Sequence, residues 1–568
     1  MPTDLLTAQG EALLASKETP WTVYPRPQLR RDSYVNLNGM WDFAVATRNL
    51  PPEADEYNQK ILAPFCPECQ LSGIGKHFPE GSPLFYRRSF TLPDGFNKGR
   101  VLLHIGAVDQ IAQIYVNQQR LTTHVGGYES FTVDITNALH EGCDENELVV
   151  CCVDDLRLKA MPYGKQALKR GGMWYTPVSG IWQTVWLESV PETYIEKLRI
   201  ENRGYSVTIT TEPALDGKVT VKELGEFPLE KGSVTITPED PHLWSPEDPY
   251  LYDFTVETAT DKVISYFAIR SLEIKEVDGL QRLCLNGKPY FFHGLLDQGY
   301  WPDGLFTPAS PECYEEDILA MKKLGFNTLR KHIKVEPEQF YYDCDRLGMI
   351  VFQDMVNNSD YDFLRDTALP TIGIQKRNDK NMHKDPTARQ RFLEGMESTV
   401  RQLWNHPCIC YWTIFNEGWG QFDADCTYAQ LKKLDDTRFI DATSGWFRQK
   451  KTDVDSRHVY FRPIKLKAEG KPLVLSEFGG YSYKPEGHVF NTEQTYGYGK
   501  FENQEDYAAA VEKLYMEQVV PAFEKGLCAA IYTQVSDIED ETNGILSYDR
   551  KVTKLDASMM LSIAEKLK

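Results

Sequence analysis

The sequence lacks several features that would have assigned it to a class at once. No stretch approaches the roughly 20 consecutive apolar residues of a spanning helix, which speaks against a membrane partner. Positive charge is short: 62 Lys and Arg face 82 Asp and Glu, a net charge of −20. Without clustered cations a phosphate backbone cannot be neutralised, so no nucleic-acid partner is expected. The twelve cysteines are scattered over 568 residues with no disulfide framework, which fits free thiols in a reducing compartment. The N-terminal Met-Pro-Thr-Asp-Leu-Leu-Thr-Ala has no basic start before an apolar core, so no secretory signal is read and a cytoplasmic location is expected. There is no Gly-rich phosphate loop, no His-Glu-x-x-His helix and no Gly-x-Ser-x-Gly elbow. Cys66-Pro-Glu-Cys69 has the gap of a zinc half-site, but no second pair stands at compatible spacing, and a packing pair is the better reading.

What is present is enough apolar material, 42% of residues, for several cores; the length suggests roughly three to four domains. Residues 1–190 hold short alternating segments such as Val101-Leu-Leu-His-Ile-Gly and Leu148-Val-Val-Cys-Cys-Val between turn signals, the pattern of a β-sandwich. Residues 191–275 repeat the pattern at a length that suits an immunoglobulin-like sandwich. Residues 276–568 alternate strand-like and helical stretches. Eight candidate strands start at Tyr290, Phe326, Met349, Trp412, Phe439, His458, Leu473 and Ala529, the count of a (β/α)8 barrel.

Two glutamates carry the chemistry. Glu417 closes the apolar run Trp412-Thr-Ile-Phe-Asn-Glu, and Glu477 closes Leu473-Val-Leu-Ser-Glu. Each is expected at the end of a strand, the fourth and the seventh, where such barrels keep their reactive groups. Two carboxylates facing one another are what cleavage of a glycosidic bond needs: one to protonate the leaving oxygen, the other to attack or to activate water. The aromatic flank of Glu417, Phe415 and Trp419, favours its neutral form and the role of acid. Glu477 has to stay ionised, held by donors from other strand ends, with Tyr460, Arg330 and His332 as candidates. Trp301, Trp419 and Trp446 are candidate sugar platforms, and Asp354, Asn357, His293 and Asp297 stand where strands should end. The mechanism demands no metal and no cofactor.

Longer motifs carry a resemblance. Tyr24-Pro-Arg-Pro, Leu37-Asn-Gly-Met-Trp-Asp-Phe, Phe85-Tyr-Arg-Arg-Ser-Phe, Gly180-Ile-Trp-Gln-Thr-Val-Trp-Leu, Leu243-Trp-Ser-Pro-Glu-Asp-Pro-Tyr, Gly325-Phe-Asn-Thr-Leu-Arg, Asp345-Arg-Leu-Gly-Met, Asn405-His-Pro and Phe415-Asn-Glu-Gly together resemble glycoside hydrolase family 2, over nearly the whole chain. The resemblance implies a jelly-roll, sugar-binding-like first sandwich and a retaining, exo-acting β-glycosidase on small carbohydrates. Glu417 would be its acid/base, Glu477 its nucleophile, Asn416 the ligand of the sugar 2-hydroxyl, and Tyr460, two residues after His458, the partner of the nucleophile. Family glucuronidases place an Asn-x-Lys pair where this chain has Glu541 and Asn543. A glutamate there would repel a uronate, so a β-galactosidase-like specificity is expected first, a β-glucuronidase or galacturonidase second, and a non-catalytic carbohydrate-binding protein last. A homodimer or homotetramer is consistent with such enzymes.

Overall fold

A computed structural model describes residues 4–140, 142 and 144–568. Met1 to Thr3, the start of the segment read for a signal, and Cys143 lie outside them. The other eleven cysteines are free, and Cys66 and Cys69 are both buried in the core as a packing pair. No helix among the described residues is long and apolar enough to cross a membrane.

The first unit is a jelly-roll sandwich of a six-stranded and a four-stranded antiparallel sheet. Alternation decides which side chains face in: along Gly39–Val45, Trp41 and Phe43 are buried whereas Met40 is exposed. They meet Ile61, Tyr86, Leu103, Ile114 and Val150 between the sheets. The second, immunoglobulin-like sandwich pairs a three-stranded with a four-stranded sheet over Ile200, Ile209, Val219, Phe254 and Val263.

The third unit is a parallel barrel of strands β1 (Phe292–Asp297), β2 (Thr328–Lys331), β3 (Ile350–Asp354), β4 (Ile409–Asn416), β5 (Phe439–Ser444), β6 (Asp455–Val459), β7 (Leu473–Gly479) and β8 (Leu527–Thr533). Their hydrogen-bonded order is β5-β4-β3-β2-β1-β8-β7-β6, so all eight expected strands are present. Aromatic side chains fill the floor of the barrel, with Phe352 stacked on Tyr411 at 4.1 Å and Phe292 tilted against Phe352. Among the described residues no backbone ladder joins β5 to β6. Hydroxyls cross that seam instead: Ser444 Oγ lies 3.2 Å from Ser456 Oγ and 2.9 Å from Ser476 Oγ.

Two outer helices show why the chain folds back as it does. In Pro386–Leu403 the Asp385 side chain caps Thr387 N, proline opens the first turn, and Ala388, Phe392, Met396, Val400 and Leu403 form one buried stripe. Helix Glu338–Leu347 stops at Gly348, whose φ is +74°. A Cβ there would meet the carbonyl oxygen of Pro246, in the second sandwich, at 2.5 Å; close approach as well as handedness asks for glycine.

The second sandwich docks at the foot of the barrel. Asp345, at the end of that helix, accepts from Tyr266 OH at 2.7 Å, His406 Nδ1 at 2.7 Å and Cys408 N at 2.8 Å, and Asp345's own carbonyl takes Trp244 Nε1. Asn405 Nδ2 donates to Leu198 O. The Asp345-Arg-Leu-Gly and Asn405-His-Pro motifs therefore hold two units together at the end of the barrel away from its chemistry. The barrel core also runs into the first unit through Phe65, Tyr128, Tyr175 and Trp182.

Candidate active site

Strand alternation turns Arg330 inward on β2 and its neighbours Leu329 and Lys331 outward. The guanidinium, 1% exposed, turns its donors on Asp354, Asn416, Glu477 and Ser476, and more distantly on His458. Nε bonds Asp354 Oδ1 at 3.0 Å on β3, Nη2 bonds Asn416 Oδ1 at 2.8 Å on β4, and Nη1 bonds Glu477 Oε1 at 3.1 Å and Ser476 O at 3.0 Å on β7. Asp354 also takes His332 Nδ1 at 2.7 Å. Burial drives the His332 imidazole down to about 4, so it is neutral and serves to orient Asp354.

Glu477 lies near the end of β7 with both oxygens occupied: Oε1 by Arg330, Oε2 by the Tyr460 hydroxyl at 2.6 Å, which also meets Thr533 Oγ1 at 2.8 Å. Burial alone would raise its pKa, but His458, the Arg330 guanidinium and the Tyr460 bond outweigh burial and hold the carboxyl below the ordinary glutamate value. Glu417, one residue beyond β4, has φ +51° and donates its N–H to Ser444 O at 2.9 Å, a kink that turns its side chain back over the barrel mouth. Burial, then the nearby Glu477, raise its pKa.

His458 stands between the two carboxylates, its Nδ1 2.8 Å from Glu417 Oε1 and 3.6 Å from Glu477 Oε2. Its Nε2 faces Ser444 Oγ at 3.0 Å and the Arg330 guanidinium, which only donates, so the proton belongs on Nδ1, aimed at Glu417. One oxygen of each glutamate and a His458 nitrogen all lie within 4.8 Å of one another. Such a trio has the donor set of a metal site. A cation at its centre, however, would sit beside the guanidinium that Glu477 already binds, whereas a protonated and an ionised carboxyl fit that field.

Several buried polar atoms beside the pair have no partner among the described residues: Asn416 Nδ2, Trp419 Nε1 and both amide atoms of Asn357. Trp446, its Nε1 on Asp366 O, stands edge-on to His458 at 5.5 Å. Glu541 is buried, accepts from Tyr175 OH and from Asn543 Nδ2 at 3.0 Å, and has its pKa raised by burial. Asn543 in turn accepts from Gln534 Nε2 at 2.8 Å.

Three sequence candidates do not join this group. Asp297 pairs with Lys331 Nζ at 2.7 Å, because Lys331 points outward where Arg330 points in. His293 is a core histidine between Gly325 O and Tyr515 OH. Trp301, 2% exposed, packs edge-on to Tyr314 beneath Arg550 and offers no face to a ligand.

The sequence reading missed a wall built by the first sandwich. Its 163–178 connection reaches over the barrel mouth: Tyr163 N bonds Asn357 O at 3.0 Å, and Trp174 packs 5.5 Å from Trp419. Lys165, 7% exposed, lays its ammonium 4.5 Å from the Trp419 ring centroid. The signal available was length, since a connection this long inside a sandwich is unusual unless it serves a site. From the other side the segment after β7 brings Tyr498 face to face with Tyr460 at 3.9 Å.

Comparison with known proteins agrees with this architecture. The models described as glycosyl hydrolases family 2, sugar binding domain; glycosyl hydrolases family 2; and glycosyl hydrolases family 2, TIM barrel domain match residues 76–191, 192–270 and 275–554. A β-galactosidase of Thermoanaerobacter pseudethanolicus is 25% identical over 413 residues, 67% of this chain and 51% of the relative. A β-glucuronidase of Bacteroides fragilis is 23% identical over 414 residues, 67% and 56% respectively. The chain thus spans about half the length of the curated relatives it matches. The structure of a β-D-glucuronidase of Dictyoglomus thermophilum is similar at a TM-score of 0.73 and 16% identity, covering 96% of this chain and 98% of that one, a likeness of fold.

Proposed function

The chain belongs to glycosyl hydrolase family 2, and from that premise we propose that it is an exo-acting, retaining β-glycosidase. The observation that carries the reading is the short gap between two carboxyls whose surroundings move their pKa values in opposite directions, Glu417 up and Glu477 down. Oxygens of Glu417 and Glu477 lie within 4.8 Å, closer to the roughly 5–5.5 Å of a double displacement than to the roughly 6.5–9.5 Å that leaves room for water in an inverting site. Glu477, ionised and aimed by Arg330 and Tyr460, attacks the anomeric carbon. The bond to the aglycone breaks, and Glu417 gives its proton to the leaving oxygen. Glu417 then takes a proton from water, whose oxygen displaces Glu477 and frees the sugar with its configuration kept. Asn416, fixed through its Oδ1, keeps Nδ2 for a sugar hydroxyl. No step calls for a metal or cofactor. The first sandwich flanks the pair through Trp174 against Trp419, and the segment after β7 through Tyr498 against Tyr460, an enclosure that suits a terminal sugar.

A β-galactoside-like substrate is the first reading, because Glu541 and Asn543 stand where a uronate would need cations. A β-glucuronide or galacturonide is the second, since proteins named as β-glucuronidases are among those similar to this chain. Aryl β-galactoside, β-glucoside, β-mannoside, α-arabinoside, β-glucuronide and β-galacturonide form the test panel. Glu417→Gln should cut kcat by roughly 10²- to 10⁴-fold. Glu477→Ala should fall to background and, with azide, release a glycosyl azide of inverted configuration. Full activity in either variant would overturn the assignment.

A further inference from the structure

Lys165 has no duty in the scheme above, yet the fold goes to some length to hold it. Gly164, before it, has φ +63°, and a Cβ there would meet Ile333 O and Tyr128 OH at 2.9 Å, so the sandwich backbone is pressed against the barrel at this point. Gln166, after it, donates Nε2 to Asp109 Oδ2 at 2.7 Å and accepts Val178 N at 2.7 Å, while Lys165 O takes Tyr175 N at 3.0 Å. A lysine between two anchored residues has its stem aimed by the backbone. The stem runs beside Trp419 and Trp174, and the ammonium ends over the Trp419 ring. Among the described residues no acceptor is within hydrogen-bonding reach of it and no carboxylate within ion-pair distance. It nevertheless feels Glu541, Glu477 and Glu417, in that order after burial, which lowers its pKa. The side chain is buried but its Nζ keeps accessible surface, so three donors that no protein group uses are left for a ligand.

Glu541 is its natural counterpart. Tyr175, from the same connection, donates to Glu541 Oε2 and Asn543 to Oε1, which leaves each oxygen a further lone pair, and Lys165 is the charge that most lowers its pKa. A sugar hydroxyl both accepts and donates, so an ammonium and a carboxylate that feel one another yet lie beyond ion-pair distance suit adjacent hydroxyls better than any uniform set of donors. A uronate fits worse. The site already balances Glu477, Asp354 and Glu541 against only Arg330 and Lys165, and a further carboxylate would meet Glu541.

We infer that Lys165 and Glu541 grip the hydroxyls of a neutral terminal sugar, the ammonium donating and the carboxylate accepting, so that the first sandwich supplies a specificity-determining residue to the barrel's site. The inference rests on the β-glycosidase reading.

The test uses the full-length enzyme, the aryl glycoside it cleaves best, and the 3-, 4- and 6-deoxy analogues of that glycoside. Lys165→Met should lower kcat/KM on the parent about 10- to 100-fold, the worth of a charged hydrogen bond, with an unchanged melting temperature. On one analogue, the one lacking the hydroxyl Lys165 holds, wild type and variant should converge. Glu541→Gln should show the same convergence. Should Lys165→Met fail to fold, Lys165→Gln, which keeps most of the stem, carries the comparison. Equal losses on the parent and every analogue, or no loss at all, would overturn the pairing. So would a wild type that prefers a β-glucuronide or galacturonide and loses that preference in Lys165→Met. A wild type that cleaves no glycoside sinks the β-glycosidase reading itself, whereas an active wild type with an indifferent Lys165 variant sinks the pairing alone.

Discussion

Glu417 and Glu477 are both buried and share His458, yet burial wins only at Glu417, because Arg330 and Tyr460 join His458 at Glu477 whereas Glu417 also feels the charge of Glu477. From an ordinary value of 4.5 one carboxyl is moved down and the other up. Catalysis needs Glu477 ionised, a condition lost as pH falls through its lowered pKa. It also needs Glu417 protonated, lost as pH rises through its raised pKa. A plot of kcat/KM against pH should therefore be a bell with limbs on either side of 4.5, the two values belonging to the coupled pair. Glu417→Gln should flatten the alkaline limb of its residual rate and leave the acid limb in place. These two residues were legible because each closes an apolar run. Lys165 was not: its neighbours in sequence describe a loop, and only the docking of two units shows where its ammonium points. Asp297 misled because a strand end does not say which face a side chain takes.

Among the elements, the eight strands could be read from periodicity, but β6 was read three residues late. Its first half, Asp455-Ser-Arg, is polar, since Ser456 faces hydroxyls inside the barrel where an apolar pattern would normally show. Tyr460 consequently lies just past the strand rather than within it. Helix ends were less visible than helix bodies. Gly348→Ala, which puts a methyl group into a left-handed residue and against Pro246 O, should cost about 2 kcal/mol or more. Calorimetry should show the melting temperature falling by about 2 °C or more, with kcat/KM at 25 °C nearly unchanged because the residue is at the foot of the barrel.

At the scale of the whole molecule, motifs that looked functional divide into two kinds. Asn416-Glu417 makes the site. Asp345 and the Asn405-His-Pro turn make the joint with the second sandwich, a distinction invisible without the fold. Asp345→Ala strands three donors, Tyr266 OH, His406 Nδ1 and Cys408 N, and should cost about 3–5 kcal/mol. Urea unfolding followed by fluorescence should begin at lower denaturant, while protein that remains folded keeps its turnover. Activity loss in proportion to none of the unfolding would mean that Asp345 reaches the chemistry.

The seam between β5 and β6 has one last consequence. It is crossed by serine hydroxyls rather than by a backbone ladder, and Ser444 on one bank and His458 on the other are the residues that keep Glu417 in register. The weakest line of the wall thus passes through its most exacting point. On slow heating the enzyme should fall silent several degrees before its circular dichroism changes, as a stone arch loses its keystone before its piers.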